Sequence, residues 1–502
     1  PIAQVALNAV HPDGRAEGGP AAGYGSFTPH GLTRPDDRGK GNLAAEWTFG
    51  CHGALVEVDT GTGETRVLRL ITALDVGTVV NPLMARGQVL GAVAQGIGAA
   101  LMERIVYGAD GQIRNASLTD YKIPTPEDLA DTELEVLFLE TPFADGPFGA
   151  RCIGEHGLVS VAPAIANAVR DATGCQLDDL PLDAETVRAA LDGRTADRGP
   201  HNRLSPPMPR RPGPVYRYLR PDDLDEACAA LADDPDAVAL AGGTDLLVEM
   251  RSRAVEPTLV VDLKRLERLR GISRENGELW IGALTTVTEL LYAPQLDGGL
   301  ACLADAARVF ACAEIRHRAT LGGNLANASP GAEFCVPLVA LGARVHLHGP
   351  EGAARSLPIG EFLLGARRTA LAAGELVTGV SVPVDGGGLR SAYRRRSRTR
   401  GMDLAAVSLA VVMRDSDRPG RRRIQLSMGA VEAVPPRAEA AERLLSRRPL
   451  DRSAIAEAGR ALVEGIAPRT GSLRAEPAYK SAVLPVLLQR ILVDLGLVEE
   501  SP

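Results

Sequence analysis

Ile315–Pro330 reads IRHRATLGGNLANASP and Ala241–Asp245 reads AGGTD. These two glycine-rich segments are the most informative motifs of the chain. The shorter segment follows a predicted strand, Ala237–Leu240, and precedes a helix predicted to begin at Leu246. Glycines let a backbone approach a pyrophosphate closely, and N–H groups at such a turn favour anions. Each segment is therefore a candidate phosphate-binding loop, although each by itself is also consistent with a structural turn.

The longer segment carries several groups that can bind a phosphate. The candidate hydroxyl, N–H and amide donors are Thr320, Gly322, Gly323 and Asn324, with Asn327 and Ser329 beside them. Glu333 follows as an acceptor suited to ribose hydroxyls. The alternative is a Gly-Asn turn in which the Asn and Ser side chains cap their neighbours.

The composition argues against several classes of protein. The chain has 502 residues, of which 45% are hydrophobic and 24% charged, as in a globular protein of about three or four domains. Its net charge is −8 and only 4% of its residues are aromatic, so we expect no nucleic-acid-binding surface. No apolar stretch reaches roughly 18 residues, so we expect no membrane span, and we also expect no signal peptide.

Cysteine spacing argues against a metal centre held by this chain alone. The seven cysteines form no Cys-x-x-Cys pair and their number is odd, so neither a zinc ribbon nor an iron–sulfur cluster is expected. Unpaired cysteines fit a reducing, cytoplasmic setting. Because the first residues after Pro1 read like the interior of a domain, we expect a fragment or a processed piece of a longer protein.

A proline- and arginine-rich stretch divides the chain. Arg194–Pro214 has nothing apolar to bury and predicts a linker. Before it, alternation over Leu55–Asp59 and Thr65–Ile71, around a TGTGE turn, predicts a β-hairpin. Two helices are predicted there, over Leu83–Met102 and Leu158–Ala172, with Gly174 as the stop of the second. The first part therefore reads as α+β.

Helical and strand patterns also mix beyond the linker. The predicted helices are Leu224–Leu231, one from Leu246, Pro337–Gly342 and two that close the chain. The predicted strands are Ala237–Leu240, Leu259–Asp262, Leu279–Gly282, Ala343–Leu347, Leu404–Met413 and Ile424–Val431. A glycine-rich turn is predicted at Val384–Leu389, and the basic run Tyr393–Arg400 after it is consistent with a solvated edge.

The first part contains one carboxylate in an unusual setting. Glu155 follows Gly154 in GARCIGEHG, just before an apolar helix, where an acid at a helix start is favoured by the helix dipole. His156 has no second histidine at ligand spacing, so we take it as non-catalytic. Gln88 and Gln95 lie on one helical stretch and by default are polar surface residues.

Together, the motifs beyond the linker resemble a known family. AGGTDLL, IGALTTVTEL (Ile281–Leu290), the R-x-x-A-T-x-G-G-N-L pattern and Tyr393 followed by Met402–Ala405 resemble the FAD subunit of molybdenum hydroxylases, which include xanthine dehydrogenase, aldehyde oxidase and CO dehydrogenase. The resemblance covers about Tyr216–Leu497. It implies a two-part FAD-binding domain of the vanillyl-alcohol-oxidase type at 215–388, and a small α+β flavoprotein C-terminal domain at 389–502.

The resemblance implies roles for individual residues. The residues implied to wrap the FAD pyrophosphate are Ala241, Gly242, Gly243, Thr244, Asp245 and Leu246, completed by Thr320, Gly323, Asn324 and Asn327. Phe310 and Ala311 would lie along the cofactor, and Val377 would pack against the isoalloxazine. Glu333 stands where the family usually has Asp, and Arg395 where a Lys is often found near the flavin.

The first part resembles the carboxy-terminal part of the molybdopterin-binding subunit of the same enzymes. The motifs that carry this resemblance are Asp75-Val76-Gly77, Gly87-Gln88 with Gln95-Gly96, Asp120–Pro124 (DYKIP) and Gly149–Glu155. It covers nearly all of His30–Ala190 and implies a partial molybdopterin-binding domain at 1–193. In this family the Glu of the Gly-Glu pair, here Glu155, is the general base. Gln88 would hydrogen-bond the pterin, and Gln95 would belong to the same wall.

The resemblance implies an oxidoreductase that needs partners. It would hydroxylate a purine or another N-heteroaromatic with water as the oxygen source. Electrons would pass through [2Fe–2S] clusters on a partner to FAD and then to NAD or another acceptor. The family's earlier molybdenum-binding stretches lie upstream of this sequence, so the rest of the molybdopterin-binding subunit is an expected partner. The alternatives are an aldehyde- or CO-oxidising member, a flavin-only reductase, and a scaffold subunit without a complete molybdenum site.

Overall fold

The computed structural model describes residues 30–44, 46–108, 110–177, 179–195, 216–275, 277–384, 388–414 and 422–499. Pro1–Ser26, nearly all of the predicted linker Arg194–Pro214 and the centre of the predicted turn Val384–Leu389 lie outside the described residues. We call residues 30–195 the N-terminal block, 216–384 the middle block and 388–499 the C-terminal block. Each block mixes helices and strands, which confirms the α+β class.

The N-terminal block is a three-stranded sheet covered by helices. Its strands are Gly50–Val58, Thr65–Asp75 and Glu133–Leu139, and its helices are Pro82–Leu101, His156–Val159, Val161–Thr173 and Ala184–Leu191. The first two strands pair antiparallel as the predicted hairpin, and the third joins in parallel. Asn81 caps the long helix by accepting from the N–H of Met84 at 3.1 Å, with Pro82 in the first turn. Gly174, at φ 69°, ends the helix Val161–Thr173 as predicted.

The middle block contains a parallel sheet, an antiparallel sheet, a short strand pair and several helices. The parallel sheet orders Arg217–Leu219, Leu259–Asp262 and Ala237–Leu240. The antiparallel sheet orders Ala354–Pro358, Arg344–His348, Leu376–Pro383, Glu278–Gly282 and Ile272–Glu275. A short pair joins Leu363–Gly365 to Arg368–Thr369. The helices are Leu224–Asp233, Leu246–Ser252, Val287–Leu291, Ala301–Val309, Ala313–Arg316, Leu321–Asn327, Cys335–Leu341 and Ile359–Phe362. Two sheets match the expected two-part architecture.

The C-terminal block is an antiparallel sheet backed by helices. Its strands Arg390–Arg396, Val407–Arg414 and Arg423–Gly429 follow in order. Its helices are Glu439–Arg447, Arg452–Glu464 and Pro477–Asp494. The prediction of two closing helices was wrong, because the described part contains three. The basic run at Tyr393 begins within a strand, and the Tyr393 ring is buried in the core that the middle block shares with this sheet.

A close helix crossing holds the N-terminal block together. A Cβ built on Gly96 in the long helix would lie 2.5 Å from the Cβ of Val161 in the facing helix. A side chain at position 96 would therefore force the two helices apart. Gly91, which precedes Gly96 in the same helix, is exposed, and a Cβ added there would meet only open space.

In the part of the chain that is described, no helix has the length and apolar character to cross a bilayer.

We expect opposite effects from the same substitution at these two glycines. Gly96→Ala overpacks the crossing and is expected to lower the free energy of unfolding by about 1–3 kcal/mol. Gly91→Ala favours the helix and is expected to raise it by about 0.5–1 kcal/mol. Thermal unfolding followed by circular dichroism measures both changes. A Gly96→Ala protein as stable as the unmodified chain would contradict the crossing described above.

Candidate functional site

The AGGTD turn presents a row of free backbone N–H groups. It connects the strand Ala237–Leu240 to the helix Leu246–Ser252, and Gly243 takes the left-handed conformation at φ 77°. Within the described residues, the N–H groups of residues 242–246 donate no hydrogen bond. Successive unpaired N–H groups in a glycine turn form a concave anion-binding surface. This turn can therefore hold a phosphate without breaking any hydrogen bond of the protein.

The two glycine-rich segments lie against each other at Gly242. A Cβ built there would lie 2.0 Å from the carbonyl oxygen of Arg318 and 3.1 Å from the Cα of Ala319. Only glycine allows two backbones to approach this closely. The contact brings the loop at Ala241–Asp245 directly beside the helix Leu321–Asn327, so the sequence motifs form one site.

The longer segment contributes fewer phosphate donors than its sequence indicates. Thr320 is the N-cap of the helix, and its hydroxyl oxygen accepts from the N–H of Gly323 at 3.1 Å. The N–H of Gly322 donates to the carbonyl oxygen of Ala283 at 2.8 Å, and that of Asn324 to the carbonyl oxygen of Thr320 at 3.0 Å. The expectation of N–H donors at Gly322 and Gly323 was therefore wrong, whereas the side-chain amide of Asn324 stays a predicted donor. The side-chain Oδ1 of Asn324 is buried and has no partner among the described residues.

Most of the predicted FAD residues line one cleft. Its lining includes Ala241, Gly242, Gly243, Thr244, Asp245, Leu246, Phe310, Thr320, Gly323, Asn324 and Asn327. An apolar cleft lies next to it and is lined by Gly322, Val377 and neighbouring aliphatic side chains. Ala241 and Gly323 line both clefts. A polar cleft that continues into an apolar one fits a dinucleotide, which has phosphates in the middle and flat rings at its ends.

Ala311 follows Phe310, which lines the cleft, but Ala311 itself does not line it. It has a positive φ of 38°, which is a strained conformation for a residue with a side chain. The guanidinium of Arg316 holds this turn by donating to the carbonyl oxygens of Phe310 and Ala311 at 3.0 and 2.9 Å. The arginine of the R-x-x-A-T pattern thus supports the cleft wall from behind.

Glu333 and Arg395 pair with each other and do not line the polar cleft. The Nη1 of Arg395 lies 2.8 Å from Oε1 of Glu333, and each side chain is only 5% exposed. Burial raises the pKa of Glu333, and the Arg395 guanidinium opposes this shift. The structure therefore gives Glu333 a partner other than the ribose expected from its sequence position. The pair joins the middle block to the C-terminal sheet.

Acidic groups border the AGGTD turn. The Nδ2 of Asn327 donates to Oδ2 of Asp245 at 3.1 Å, and Glu249 lines the cleft beside them. Partial burial and the neighbouring Glu249 carboxylate raise the pKa of Asp245. Arg367, which pairs with Glu249, offsets part of this negative charge. Neither Glu249 nor Arg367 belongs to a motif that the sequence indicates.

The second candidate site lies on an open face of the N-terminal block. Glu155 is exposed at the start of the short helix His156–Val159. The Nε2 of Gln88 donates to the carbonyl oxygen of Gly154 at 2.7 Å, so the structure brings Gln88 and the Glu155 turn together. Gln95 is exposed further along the same helix as Gln88. The three residues predicted for the molybdenum site thus lie on an open face and not in an enclosed pocket.

Close backbone contacts hold the Glu155 turn in place. A Cβ on Gly77 would lie 2.3 Å from the carbonyl oxygen of Gly149, and Arg151 donates from its N–H to the carbonyl oxygen of Val76 at 2.9 Å. Asp75 accepts from the N–H groups of Gly77 and Thr141 at 3.1 and 3.2 Å. Burial opposes ionisation of Asp75, but these N–H donors and Arg151 together lower its pKa. The motifs around Asp75 and Gly149 therefore form one support.

Sequence reasoning missed several residues around this turn. Glu46 accepts from the N–H of Cys152 at 2.7 Å. His52 Nδ1 lies 2.6 Å from Oγ of Ser160, and burial lowers the pKa of His52. These contacts join positions that are about a hundred residues apart, and neither motif nor periodicity marks them. His156 shows no hydrogen bond at its buried Nδ1 in the described part of the chain.

Comparison with known proteins identifies all three blocks. The family described as the FAD-binding domain in molybdopterin dehydrogenase matches residues 214–385. The CO dehydrogenase flavoprotein C-terminal domain matches 391–495, and the molybdopterin cofactor-binding domain matches 1–130. The Gly154-Glu155 pair lies beyond the end of the molybdopterin cofactor-binding match at residue 130.

Individual relatives divide between the two halves. The carbon monoxide dehydrogenase medium chain of Hydrogenophaga pseudoflava is 32% identical over 280 residues, which are 56% of this chain and 96% of the relative. The solved structure of that organism's carbon monoxide dehydrogenase matches with a TM-score of 0.53 at 33% identity, covering 57% of this chain and 99% of the other.

The N-terminal half has a different relative. A putative xanthine dehydrogenase molybdenum-binding subunit of Escherichia coli is 40% identical over 135 residues, which are 27% of this chain and only 18% of the relative. The chain therefore spans nearly the whole of a flavoprotein subunit and about a fifth of a molybdenum-binding subunit. These matches confirm the resemblance drawn from the motifs: the chain belongs to the molybdenum hydroxylase family and carries both an FAD-binding and a molybdopterin-binding domain.

Proposed function

We propose that this chain is the flavin-bearing part of a hydroxylase acting on a purine or related N-heteroaromatic substrate. The overall reaction is R–H + H₂O → R–OH + 2e⁻ + 2H⁺, with the electrons leaving through FAD to NAD or another acceptor. The observation that carries the proposal is the pairing of two sites in one chain. One is a cleft with a free row of N–H groups at 242–246, and the other is the Glu155 turn held by Gln88.

The flavin cofactor fits the two adjoining clefts. The free N–H groups of 242–246 would bind the pyrophosphate, and the side-chain amides of Asn324 and Asn327 would complete its surroundings. Phe310 and the apolar cleft around Val377 offer flat and aliphatic surfaces for the rings. Glu333 and Arg395 would act from behind the site, by fixing the C-terminal sheet against it.

The molybdenum cofactor would be only partly held by this chain. When bound, it supplies the two-electron acceptor for oxidation of the substrate C–H bond. Glu155 would accept a proton at its carboxylate, and its exposed position leaves that carboxylate open to a reacting group. Gln88 and Gln95 would bind the pterin, Gln88 with the amide atoms left over from its bond to Gly154.

Large apolar side chains exposed on the N-terminal block support the need for a partner. Trp47, Phe49, Leu83, Met84 and Phe148 are exposed, with Leu83 at 83% and Phe148 at 89%. Exposed apolar patches of this kind mark protein interfaces. We assign this surface to the remaining part of the molybdopterin-binding subunit, because the matched relative is about five times longer than the shared region. A further partner would carry the [2Fe–2S] clusters, and the unpaired cysteines favour a cytoplasmic location.

The substrate assignment rests on the N-terminal half, because that half carries the proposed base. One of the relatives of that half is named a putative xanthine dehydrogenase subunit. The similarity of the flavin half to a carbon monoxide dehydrogenase subunit makes a CO-oxidising enzyme the second candidate. The first measurement is the molybdenum-to-flavin ratio of the complex purified with its partners. A ratio near one supports hydroxylation, whereas flavin without molybdenum favours a reductase or a scaffold.

Flavin binding is expected to depend on two glycines of the cleft. Gly323→Asp places a carboxylate beside the phosphates, and Gly242→Ala forces the two loops apart. Both variants are expected to lose most of their bound flavin, as measured by flavin absorbance per chain after gel filtration. Gly360→Asp is the matched control, since Gly360 is exposed with nothing within 4 Å of its Cβ position. Full flavin content in Gly323→Asp would refute the assignment of the cleft.

Hydroxylation is expected to depend on Glu155. Glu155→Gln in the complete complex removes the proton acceptor and is expected to slow substrate oxidation about 10²–10⁴-fold. Flavin content and NADH-driven dye reduction are expected to stay unchanged, because Glu155 lies outside the flavin cleft. Glu127→Gln, at an exposed position of the same block, serves as control. Undiminished hydroxylation would show that Glu155 is not the base. Dye reduction without any hydroxylation by the unmodified complex would identify a flavin-only reductase.

A further inference from the structure

A cavity outside both candidate sites lies between the N-terminal and C-terminal blocks. One side is formed mainly by the start of the strand Thr65–Asp75, the end of the helix Pro82–Leu101 and the start of the helix Ala184–Leu191. The other side is formed mainly by residues 396–400 and the start of the helix Pro477–Asp494. The cavity measures about 130 Å³. Because a cavity of roughly 150 Å³ holds one benzene molecule, this one fits a ligand of about one ring.

Four hydrogen-bond donors on the C-terminal side of this cavity have no partner among the described residues. They are Nε of Arg396, Nε of Arg474, the hydroxyl of Thr399 and the phenol of Tyr479. Thr399 and Tyr479 are only 3% and 5% exposed. Burial raises the pKa of Tyr479 against the influence of Arg396, so the phenol stays protonated and can donate. Because buried polar groups normally have a partner, these four donors point to an acceptor inside the cavity.

The same side of the cavity carries positive charge that is only partly neutralised. Burial lowers the pKa of Arg474, and the nearby Arg398 and Arg469 strengthen this shift, whereas Asp120 opposes it. The Oδ1 of Asp120 accepts no hydrogen bond among the described residues, since it lies 3.7 and 4.0 Å from Nη2 of Arg474 and Arg398. An anion in the cavity would therefore supply the close acceptor that Arg474 lacks.

The other carboxylates that line the cavity have partners within the protein. Asp128 and Asp183 accept from backbone N–H groups at 2.7 and 2.9 Å. Glu64 lies 3.4 Å from Nη1 of Arg396. Glu185 accepts from a backbone N–H at 3.1 Å, and burial together with the Asp183 carboxylate raises its pKa to about 7. Among the described residues around the cavity, unpaired donors therefore outnumber unpaired acceptors.

The N-terminal side of the cavity offers an apolar surface. Val67, Ile97 and Leu182 are buried there, with Leu101 and Leu129 packed against the same core. An occupant that uses both sides has a charged acceptor group at the C-terminal side and a hydrocarbon body at the N-terminal side. Inorganic phosphate would use the donors but leave the aliphatic side chains without contact. A carboxylate on a single ring or a short branched chain satisfies both sides.

We propose that this cavity is a binding site for a small carboxylic acid with an apolar body of about one ring. Its carboxylate would accept hydrogen bonds from the unpaired donors of Arg474, Tyr479 and Thr399, and its body would pack on the aliphatic side. Neither the AGGTD turn nor Glu155 lines this cavity, so the site is separate from both candidate sites described above. The inference goes beyond the proposed function, because binding is measured without activity.

The test titrates benzoate into the purified full chain and measures binding by isothermal calorimetry. Benzamide has the same shape without the charge, and inorganic phosphate has the charge without the ring. We expect benzoate to bind with a dissociation constant of about 1 mM or tighter, and both comparison compounds to bind at least about ten-fold more weakly. Flavin absorbance is expected to stay constant during the titration. Absence of benzoate binding, equal binding of benzamide or phosphate, or displacement of flavin by benzoate would each overturn the proposal.

Substitutions locate the bound benzoate. Arg474→Gln and Tyr479→Phe each remove one donor, and each is expected to raise the dissociation constant of benzoate about ten-fold. The matched controls are Arg443→Gln, at an exposed ion pair, and Tyr292→Phe, at a side chain that is 77% exposed, and both are expected to leave it unchanged. Circular dichroism checks that each variant is folded. Unchanged benzoate affinity in both Arg474→Gln and Tyr479→Phe would show that benzoate binds elsewhere and would overturn the assignment.

Discussion

The close approach of two backbones at Gly242 is the constraint on which the flavin half depends. With no Cβ at this position, the loop after Leu240 lies directly on the carbonyl of Arg318. That contact places the helix Leu321–Asn327 beside the free N–H groups of 242–246, and it leaves the apolar cleft open on the other side of Gly323. A methyl group at this point would separate the loops and remove the cleft that a dinucleotide needs.

Buried charges connect the three blocks. Glu333 of the middle block pairs with Arg395, and Lys122 of the N-terminal block pairs with Asp403, so both partners come from the C-terminal block. Removing one member of a buried pair leaves a desolvated charge and costs about 3–5 kcal/mol. The C-terminal block is therefore the common support of the two others, although it contributes no residue to the lining of the polar cleft.

The N-terminal block presents the Glu155 turn on an open face. Gly77 and Gly157 allow the Glu155 turn to lie on its neighbours, with a Cβ on Gly157 only 3.0 Å from that of Ala92. Gln88 fixes the turn by its bond to Gly154. The rigid turn and the exposed apolar side chains around the block have the same explanation. The partner proposed above would cover both of them and complete the domain.

Local patterns in the sequence determined most elements, the positions of both glycine-rich loops and the family. Strands such as Ala237–Leu240 and Leu259–Asp262 lie where predicted, because alternation and turn residues act over a few positions. Only the tertiary structure decided which groups remain free to bind a ligand. The N–H of Gly323 donates to the hydroxyl of Thr320, and the N–H of Gly322 donates to the carbonyl of Ala283. The carboxylate of Glu333 pairs with Arg395. The contact between Lys122 and Asp403 could not be predicted from the sequence either. Partners that are far apart along the chain are brought together by the packing of whole blocks, and no local sequence pattern records that packing.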